Sequence, residues 1–354
     1  MAQTILGMDI GSHDLRIIQM RNRQIQAYAT AAMPDNLVKG GRIIAYHALG
    51  DLIRETVKEN RLRGNAVAIS LPGEATYLRR SHLPKMTIQQ LKVNLPFEFH
   101  DYISGDVDKY IYDYAVIGMD GGSMDLMAAA IPAETVEGYK GMIRRAGLRL
   151  VKLVPDVLAI RAILMNSPVA AAGKKDYAVL DIGHSATRIH FYSGGEYEIT
   201  RTLDTGSRQL ARMIAEAQNI DIHIAQLKIE QNQDGILDTD GSADYLDQMS
   251  TEIMRVMNFY SYNNPKSGID CLYYFGSGLH MTRLKKLIHD ATDLEVRPLT
   301  ELISAGNTAV HLGDGPAAYG AVIELGDRNV GRREERTENR KHPEQTDRQE
   351  QVPG

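Results

Sequence analysis

The 354-residue chain holds a single cysteine, Cys271, which excludes an internal disulfide and a thiolate metal centre and suits a reducing compartment. No apolar run approaches the about 20 residues needed to span a bilayer. The first ten residues lack the basic start and long apolar segment of a secretory signal. The eleven histidines form no His-x-x-x-His pair and no Cys/His cluster, so no metal site built on those side chains is expected. A net charge of −5 gives no electrostatic reason to expect nucleic acid. These absences point to a cytoplasmic protein that reaches a membrane only through a partner. With 43% hydrophobic and 24% charged residues the chain can bury one or two sizeable cores, so two lobes are expected.

What the chain does have is a stretch written twice. Thr4-Ile5-Leu6-Gly7-Met8-Asp9-Ile10-Gly11-Ser12 returns as Tyr177-Ala178-Val179-Leu180-Asp181-Ile182-Gly183-His184-Ser185. A second apolar run follows each copy, Leu15-Arg16-Ile17-Ile18 in one case and Thr187-Arg188-Ile189-His190-Phe191 in the other. Each copy reads as a β-hairpin with a tight Gly turn. Glycine lets backbone approach a ligand closely, and consecutive N–H groups with Ser or Thr hydroxyls can cradle phosphate oxygens. An Asp at the strand end can hold a hydrated Mg²⁺. A third loop ends the run Cys271-Leu272-Tyr273-Tyr274-Phe275 as Gly276-Ser277-Gly278 and opens a helix, an arrangement suited to a nucleotide. One Asp-x-Gly-Ser alone is an ordinary hairpin turn; two in matched context, with the third loop, single out a phosphate site. Its candidates are Asp9, Gly11, Ser12 and His13 in one loop, Asp181, Gly183, His184, Ser185 and Thr187 in the other, and Gly276, Ser277 and Gly278. Asp9 and Asp181 are the candidate Mg²⁺ carboxylates, through water.

Between these loops the periodicity divides the chain. The first-lobe core is expected at 1–83 and 152–172, with strands at 25–33 and 66–71 and a helix at 44–57. A small α+β insert is expected at 84–151, with a helix through Leu91 and Leu95, a Tyr-rich strand at Tyr110, Tyr112 and Tyr114, a further strand, and a helix turning Val136, Tyr139 and Ile143 inward. The second-lobe core is expected at 173–206 and 269–326, around a helical subdomain at 207–268 that includes a polar loop at 231–243 and a helix at 249–262. Fourteen of the 28 residues at 327–354 are charged and none is Leu, Ile or aromatic, so this tail is expected to be disordered. It offers no apolar face for an amphipathic membrane helix.

The two hairpins and the Gly loop together resemble the actin-like ATPase superfamily, an α/β two-lobe fold. In that superfamily the hairpins grip ATP phosphates from opposite lobes and the Gly loop holds adenosine. The order of further pieces resembles the type IV pilus assembly protein PilM family over about residues 4–325. These pieces are Leu83-Pro84-Lys85-Met86-Thr87, Glu98 with Tyr102-Ile103, Asp113-Tyr114, Ala128-Ala129-Ala130-Ile131-Pro132, Thr200-Arg201-Thr202 before Gly206, and Glu252-Ile253 before Phe259-Tyr260. The resemblance implies ATP with Mg²⁺, contacts at Gly206 and Lys228, and a place at the cytoplasmic face of the inner membrane. It also implies docking of a PilN-like membrane protein's N-terminus on the first lobe and its insert, with Glu98, Tyr102 and Ile103 as candidates. A homo-oligomer is left open.

Three positions depart from the family pattern. Asp14 stands in the first phosphate loop, Ala225 replaces the Glu expected on ribose, and Leu158 replaces a Glu after Asp156. At most a weak ATPase is therefore expected, with no base visible near Leu158. Three alternatives stay open: a sugar or small-molecule kinase, a cell-division tether similar to FtsA, and an actin-like scaffold without nucleotide.

Overall fold

The computed structural model describes residues 3–303, 312 and 315–323. The chain starts with a meander, β1 (Ile5–Ile10), β2 (Asp14–Arg21) and β3 (Gln24–Ala32), then a short ribbon, β4 (Val38–Lys39) and β5 (Arg42–Ile43). Helix α1 (Tyr46–Glu59) leads to β6 (Ala66–Leu71). A separate three-stranded sheet follows, with β7 (Tyr77–Pro84), helix α2 (Ile88–Phe99), β8 (Tyr110–Asp120) and β9 (Ser123–Pro132). Then come α3 (Ala133–Arg145), β10 (Arg149–Pro155), α4 (Asp156–Met165) and α5 (Pro168–Ala171). The second half repeats the plan: β11 (Tyr177–Ile182), β12 (Thr187–Ser193), β13 (Glu196–Leu203), α6 (Ser207–Gln218), α7 (Ile222–Gln231), α8 (Asp240–Asn263), β14 (Cys271–Phe275), α9 (Thr282–Thr292), β15 (Glu295–Pro298) and α10 (Ala317–Ile323).

The two main sheets have the same topology. One runs β10-β6-β1-β2-β3 and the other, read from its far edge, β15-β14-β11-β12-β13. In each, the first strand of the hairpin lies antiparallel to the second and parallel to a crossover strand, β1 beside β6 and β11 beside β14. Side chains that alternate along a strand therefore face different layers. Leu6, Met8 and Ile10 pack with Val67 and Ile69 against α1 and α3. On the opposite face of the first sheet, Ile18, Met20 and Ala68 share one core with α4, α10 and the Tyr177, Val179 and Tyr273 side of the second sheet. Ala178, Leu180, Ile182 and Leu272 turn the other way, onto α6, α8 and α9.

Two glycines set how closely the central helices approach. A Cβ on Gly7 would lie 2.2 Å from the Ala318 carbonyl oxygen, and one on Gly320 would lie 2.1 Å from that of Ala159. Helix α10 thus packs on β1 and α4, in the first lobe, although residues 269–326 were assigned above to the second. The insert also differs from 84–151. Its sheet begins at Tyr77, because β7 pairs with β9 from Tyr77↔Ala130 onward. It ends at Pro132, because Tyr139, Met142 and Ile143 of α3 bury against the α1 layer and β10 pairs with β6. Helix α8 starts at Asp240, inside the stretch read as polar loop, because Tyr245 and Leu246 enter the second-lobe core. The tail at 327–354 lies outside the described residues. Among the described residues no helix is long and apolar enough to cross a membrane.

Candidate functional site

The two hairpins meet tip to tip between the lobes. Each tip closes with one backbone bond, Gly11 N–H to the Asp14 carbonyl at 2.9 Å and Gly183 N–H to the Ala186 carbonyl at 3.0 Å. Across the gap the Ser12 and Ser185 hydroxyls are 3.3 Å apart, and the His13 and His184 rings lie 4.8 Å centre to centre. The sequence repeat has become a pair of facing loops, one from each sheet.

Behind each tip stands an acid with an arginine opposite it in the ladder. Asp9 pairs in register with Arg16, and Asp181 with Arg188. The guanidinium–carboxylate contacts are 3.4 Å and 3.5 Å, long for an ion pair. Burial raises the pKa of both carboxylates against the pull of these arginines, that of Asp181 to about 6. Arg16 also reaches Asp14 at 3.2 Å, and Arg188 also donates to Glu74, a residue of the first lobe. The Asp14 carboxylate, named above as a departure from the family pattern, is thus engaged by Arg16 and by His13 at 3.1 Å. Burial alone would raise its pKa, but these partners outweigh burial and lower it. His13 is raised, first by its hydrogen bond to Asp14; His184 is lowered to about 4 by burial and by the nearby His13 and Arg208.

Asp156, at the start of α4, completes the cluster. Its carboxylate accepts from Gly73 N–H at 3.2 Å and Val157 N–H at 2.7 Å. Burial, against the opposing charge of Arg188, pushes its pKa up to about 7. Asp156 is thus a buried carboxyl two residues before Leu158, where the sequence reading saw no base. Among the described residues no three His, Cys, Asp or Glu side chains form a metal cage. A hydrated Mg²⁺ needs only one or two carboxylates when phosphates complete its shell. Asp9 and Asp181, desolvated and loosely paired, fit that requirement.

Other predicted residues have different occupations. Thr187 is fully buried, and its hydroxyl donates to the Thr205 carbonyl at 2.7 Å, fastening the loop that leads to α6. Gly206 N–H donates to the Tyr245 hydroxyl at 3.1 Å, and that hydroxyl donates back to the Gly206 carbonyl at 2.9 Å. Gly276 has a φ of 101°, and a Cβ there would lie 2.6 Å from the Ile182 carbonyl oxygen. Gly278 packs on the Ile182 side chain, while the Ser277 hydroxyl bonds the Ile182 carbonyl at 3.2 Å and Ser207 at 3.1 Å. The Gly loop therefore braces the second hairpin from behind. Lys228 donates to Gln218, at the far end of α6 from the hairpins, and Ala225 is buried in the second-lobe core.

In the insert, Glu98 lies 3.9 Å from Arg79, whose guanidinium stacks 4.4 Å over the Tyr102 ring. Ile103 is 5% exposed within the core of the insert, so it is a packing residue there. Val93 and Phe97, four apart on α2, are the exposed apolar side chains beside this group in sequence.

The sequence reading missed Arg16, Arg188, Glu74 and Asp156 as members of the cluster. An Asp followed seven residues later by an Arg in both copies was the available signal for the two arginines. Nothing local marks Glu74.

Comparison with known proteins agrees with this architecture. A structure described as a PilM-PilN type IV pilus biogenesis complex superposes with a TM-score of 0.78 at 23% identity, covering 91% of this chain and 98% of that one. The ethanolamine utilization protein EutJ from Carboxydothermus hydrogenoformans gives 0.56 at 16% identity, over 91% and 89% of the two chains. MreB 5 of Spiroplasma citri bound to AMPPNP gives 0.51 at 10% identity, over 95% and 99%. These likenesses show an actin-like fold. Residues 7–304 match the family model described as type IV pilus assembly protein PilM, and the chain belongs to that family.

Proposed function

We propose that this protein binds ATP with Mg²⁺ between its lobes and docks to the cytoplasmic N-terminus of a PilN-like inner-membrane protein during pilus assembly. The observation that carries the nucleotide reading is the pair of facing hairpins, each with an acid behind its tip and a hydroxyl at it. Ser12 and Ser185 would meet phosphate oxygens with the backbone N–H groups of the two tips, and Asp9 and Asp181 would hold the Mg²⁺ through water. The metal supplies charge neutralisation on the phosphates when bound. Arg16 and Arg188 would hold the two carboxylates in place, and Asp156 would accept a proton in whatever slow hydrolysis takes place.

Membership in the PilM family and the likeness to a PilM-PilN complex support the partner. The protein would sit at the cytoplasmic face of the inner membrane through that partner. Exposed Val93, Phe97 and Tyr102 give the insert an apolar surface for a peptide. Occupancy of the cleft would shift the relation of the two lobes and so the affinity for partner.

Melting of the purified protein tests the nucleotide reading. ATP with Mg²⁺ at a hundred times its dissociation constant should add about 2.7 kcal/mol of stability. Asp9→Asn and Asp181→Asn should each abolish the shift. No shift at millimolar ATP would favour the scaffold without nucleotide. Titration of a labelled PilN-type N-terminal peptide against the whole protein and against an Asp9→Asn variant tests the coupling.

A further inference from the structure

His13 and His184 come from opposite lobes, one in each hairpin tip, and their rings lie 4.8 Å centre to centre, inclined at 48°. Both backbones are held in place. The His13 carbonyl accepts from Met33 N–H at 2.8 Å, and the His184 carbonyl accepts from Arg208 N–H at 2.9 Å. Each ring uses its Nδ1 inside the protein, His13 at 3.1 Å from Asp14 Oδ2 and His184 at 3.3 Å from Ser207 Oγ. A carboxylate can only accept, so neutral His13 carries its hydrogen on Nδ1 and keeps the lone pair on Nε2. Among the described residues neither Nε2 has a hydrogen-bond partner.

An imidazole whose Nδ1 is tied to a neighbouring acceptor is the arrangement that orients a metal-bound histidine. Two Nε2 atoms about 2.0–2.1 Å from one tetrahedral ion put their ring centres about 5 Å apart. The observed spacing matches. It also suits an ordinary ring pair, so the free nitrogens and the local charge decide. Asp14 and Glu230 act on His13, and Asp14 and Asp35 act on His184, with Arg16 and Arg208 opposing them. Burial first, then His13 and Arg208, lower the His184 pKa to about 4, which keeps that ring neutral, the form that binds a metal. Asp35 and His223 line the cavity that both rings enter.

We infer that His13 and His184 together bind one transition-metal dication of the zinc class through Nε2, apart from the Mg²⁺ carboxylates. The inference does not rest on the nucleotide reading. Imidazole suits Zn²⁺, Ni²⁺ or Cu²⁺, whereas Mg²⁺ prefers oxygen. Among the described residues no third His, Cys, Asp or Glu completes a cage, so water or an oxygen anion fills the remaining positions and the ion exchanges. One ligand comes from each lobe. The bound ion therefore fastens the two hairpin tips together and holds the cleft closed. Acid competes with it, because the hydrogen bond to Asp14 raises the His13 pKa.

Calorimetric titration of the whole, nucleotide-free protein with zinc chloride tests this, and one ion per chain should bind. His13→Gln and His184→Gln should each weaken binding by about tenfold or more, and Asp14→Asn by about tenfold through the ring that it orients. Asp9→Asn and Asp181→Asn should keep the zinc site, and millimolar Mg²⁺ should not displace the ion. Cobalt chloride added to the wild-type protein should give the strong visible bands of a four-coordinate ion, a reading that needs no variant to fold. No saturable zinc binding by wild type below about 100 μM would overturn the inference. So would weak octahedral cobalt bands, or binding untouched by both histidine variants, which would put the ion on other histidines. Loss of zinc in Asp9→Asn or Asp181→Asn with the histidine variants unaffected would place it on the carboxylates and overturn the inference equally.

Discussion

Arg188 and Glu74 form an ion pair across the cleft, one partner from each lobe. Arg188 belongs to the hairpin that carries Asp181, and Glu74 follows Gly73, whose N–H holds Asp156. The pair ties the β11–β12 hairpin to the loop after β6. A double-mutant cycle with Glu74→Gln and Arg188→Gln, read by urea unfolding, should give a coupling of about 0.5–2 kcal/mol, at the lower end because Glu74 is one-third exposed. A coupling indistinguishable from zero would mean that the pair does not hold the lobes together.

Asp156 makes stability depend on pH in a stated direction. Its pKa is about 7 in the folded protein against an ordinary 3.8. Between those values the folded state holds a proton that the unfolded state has lost, so this group's contribution falls as pH rises through the window. Asp156→Asn removes the loss. The melting temperature of the variant minus that of wild type should therefore grow from about pH 4 to pH 7 and then level off. A difference that is flat with pH refutes the assignment.

His190 works in the opposite sense. It is 1% exposed, its Nε2 has no partner among the described residues, and burial lowers its pKa from 6.5 to about 3. In this window the unfolded state binds the extra proton, so stability present above 6.5 drains away as pH falls. His190→Gln, which cannot protonate, should lose less melting temperature than wild type on acidification from pH 6.5. Equal losses would show that other groups govern the acid limb.

In the insert, binding and folding should separate by residue. Phe97 is 70% exposed, so Phe97→Ser should weaken capture of a PilN-type peptide and change melting little. Ile103 is buried, so Ile103→Ala should instead destabilise by about 2–4 kcal/mol. Peptide affinity untouched by Phe97→Ser would move the docking surface elsewhere.

The hairpins were readable in the sequence because their information is local: alternation sets the strands, and Asp-x-Gly sets the turn. The inward residues of α3 were readable for the same reason. Their destination was not, since Tyr139 meets Tyr46 at 5.8 Å across a layer that no nearby residue announces. Helix α8 was cut short because Asp240, Gly241 and Ser242 look like loop, and only Tyr245 and Leu246 in the core justify the first turns. Thr187 and Gly276 fitted a phosphate pattern, but their hydrogen bonds and backbone angle are used to build the loop itself. A motif states which residues sit in a turn, not which of their atoms remain free.

The central layer has a consequence during synthesis. Helix α4 buries Ile160, Ile163 and Leu164 in a core that α10 helps to complete, with Gly320 seated on Ala159. On the ribosome that side of α4 stays partly uncovered until residues 317–323 leave the exit tunnel. A chain stopped before α10 would leave that apolar side of α4 uncovered, so truncation ahead of residue 317 is expected to give an aggregation-prone product rather than a working half.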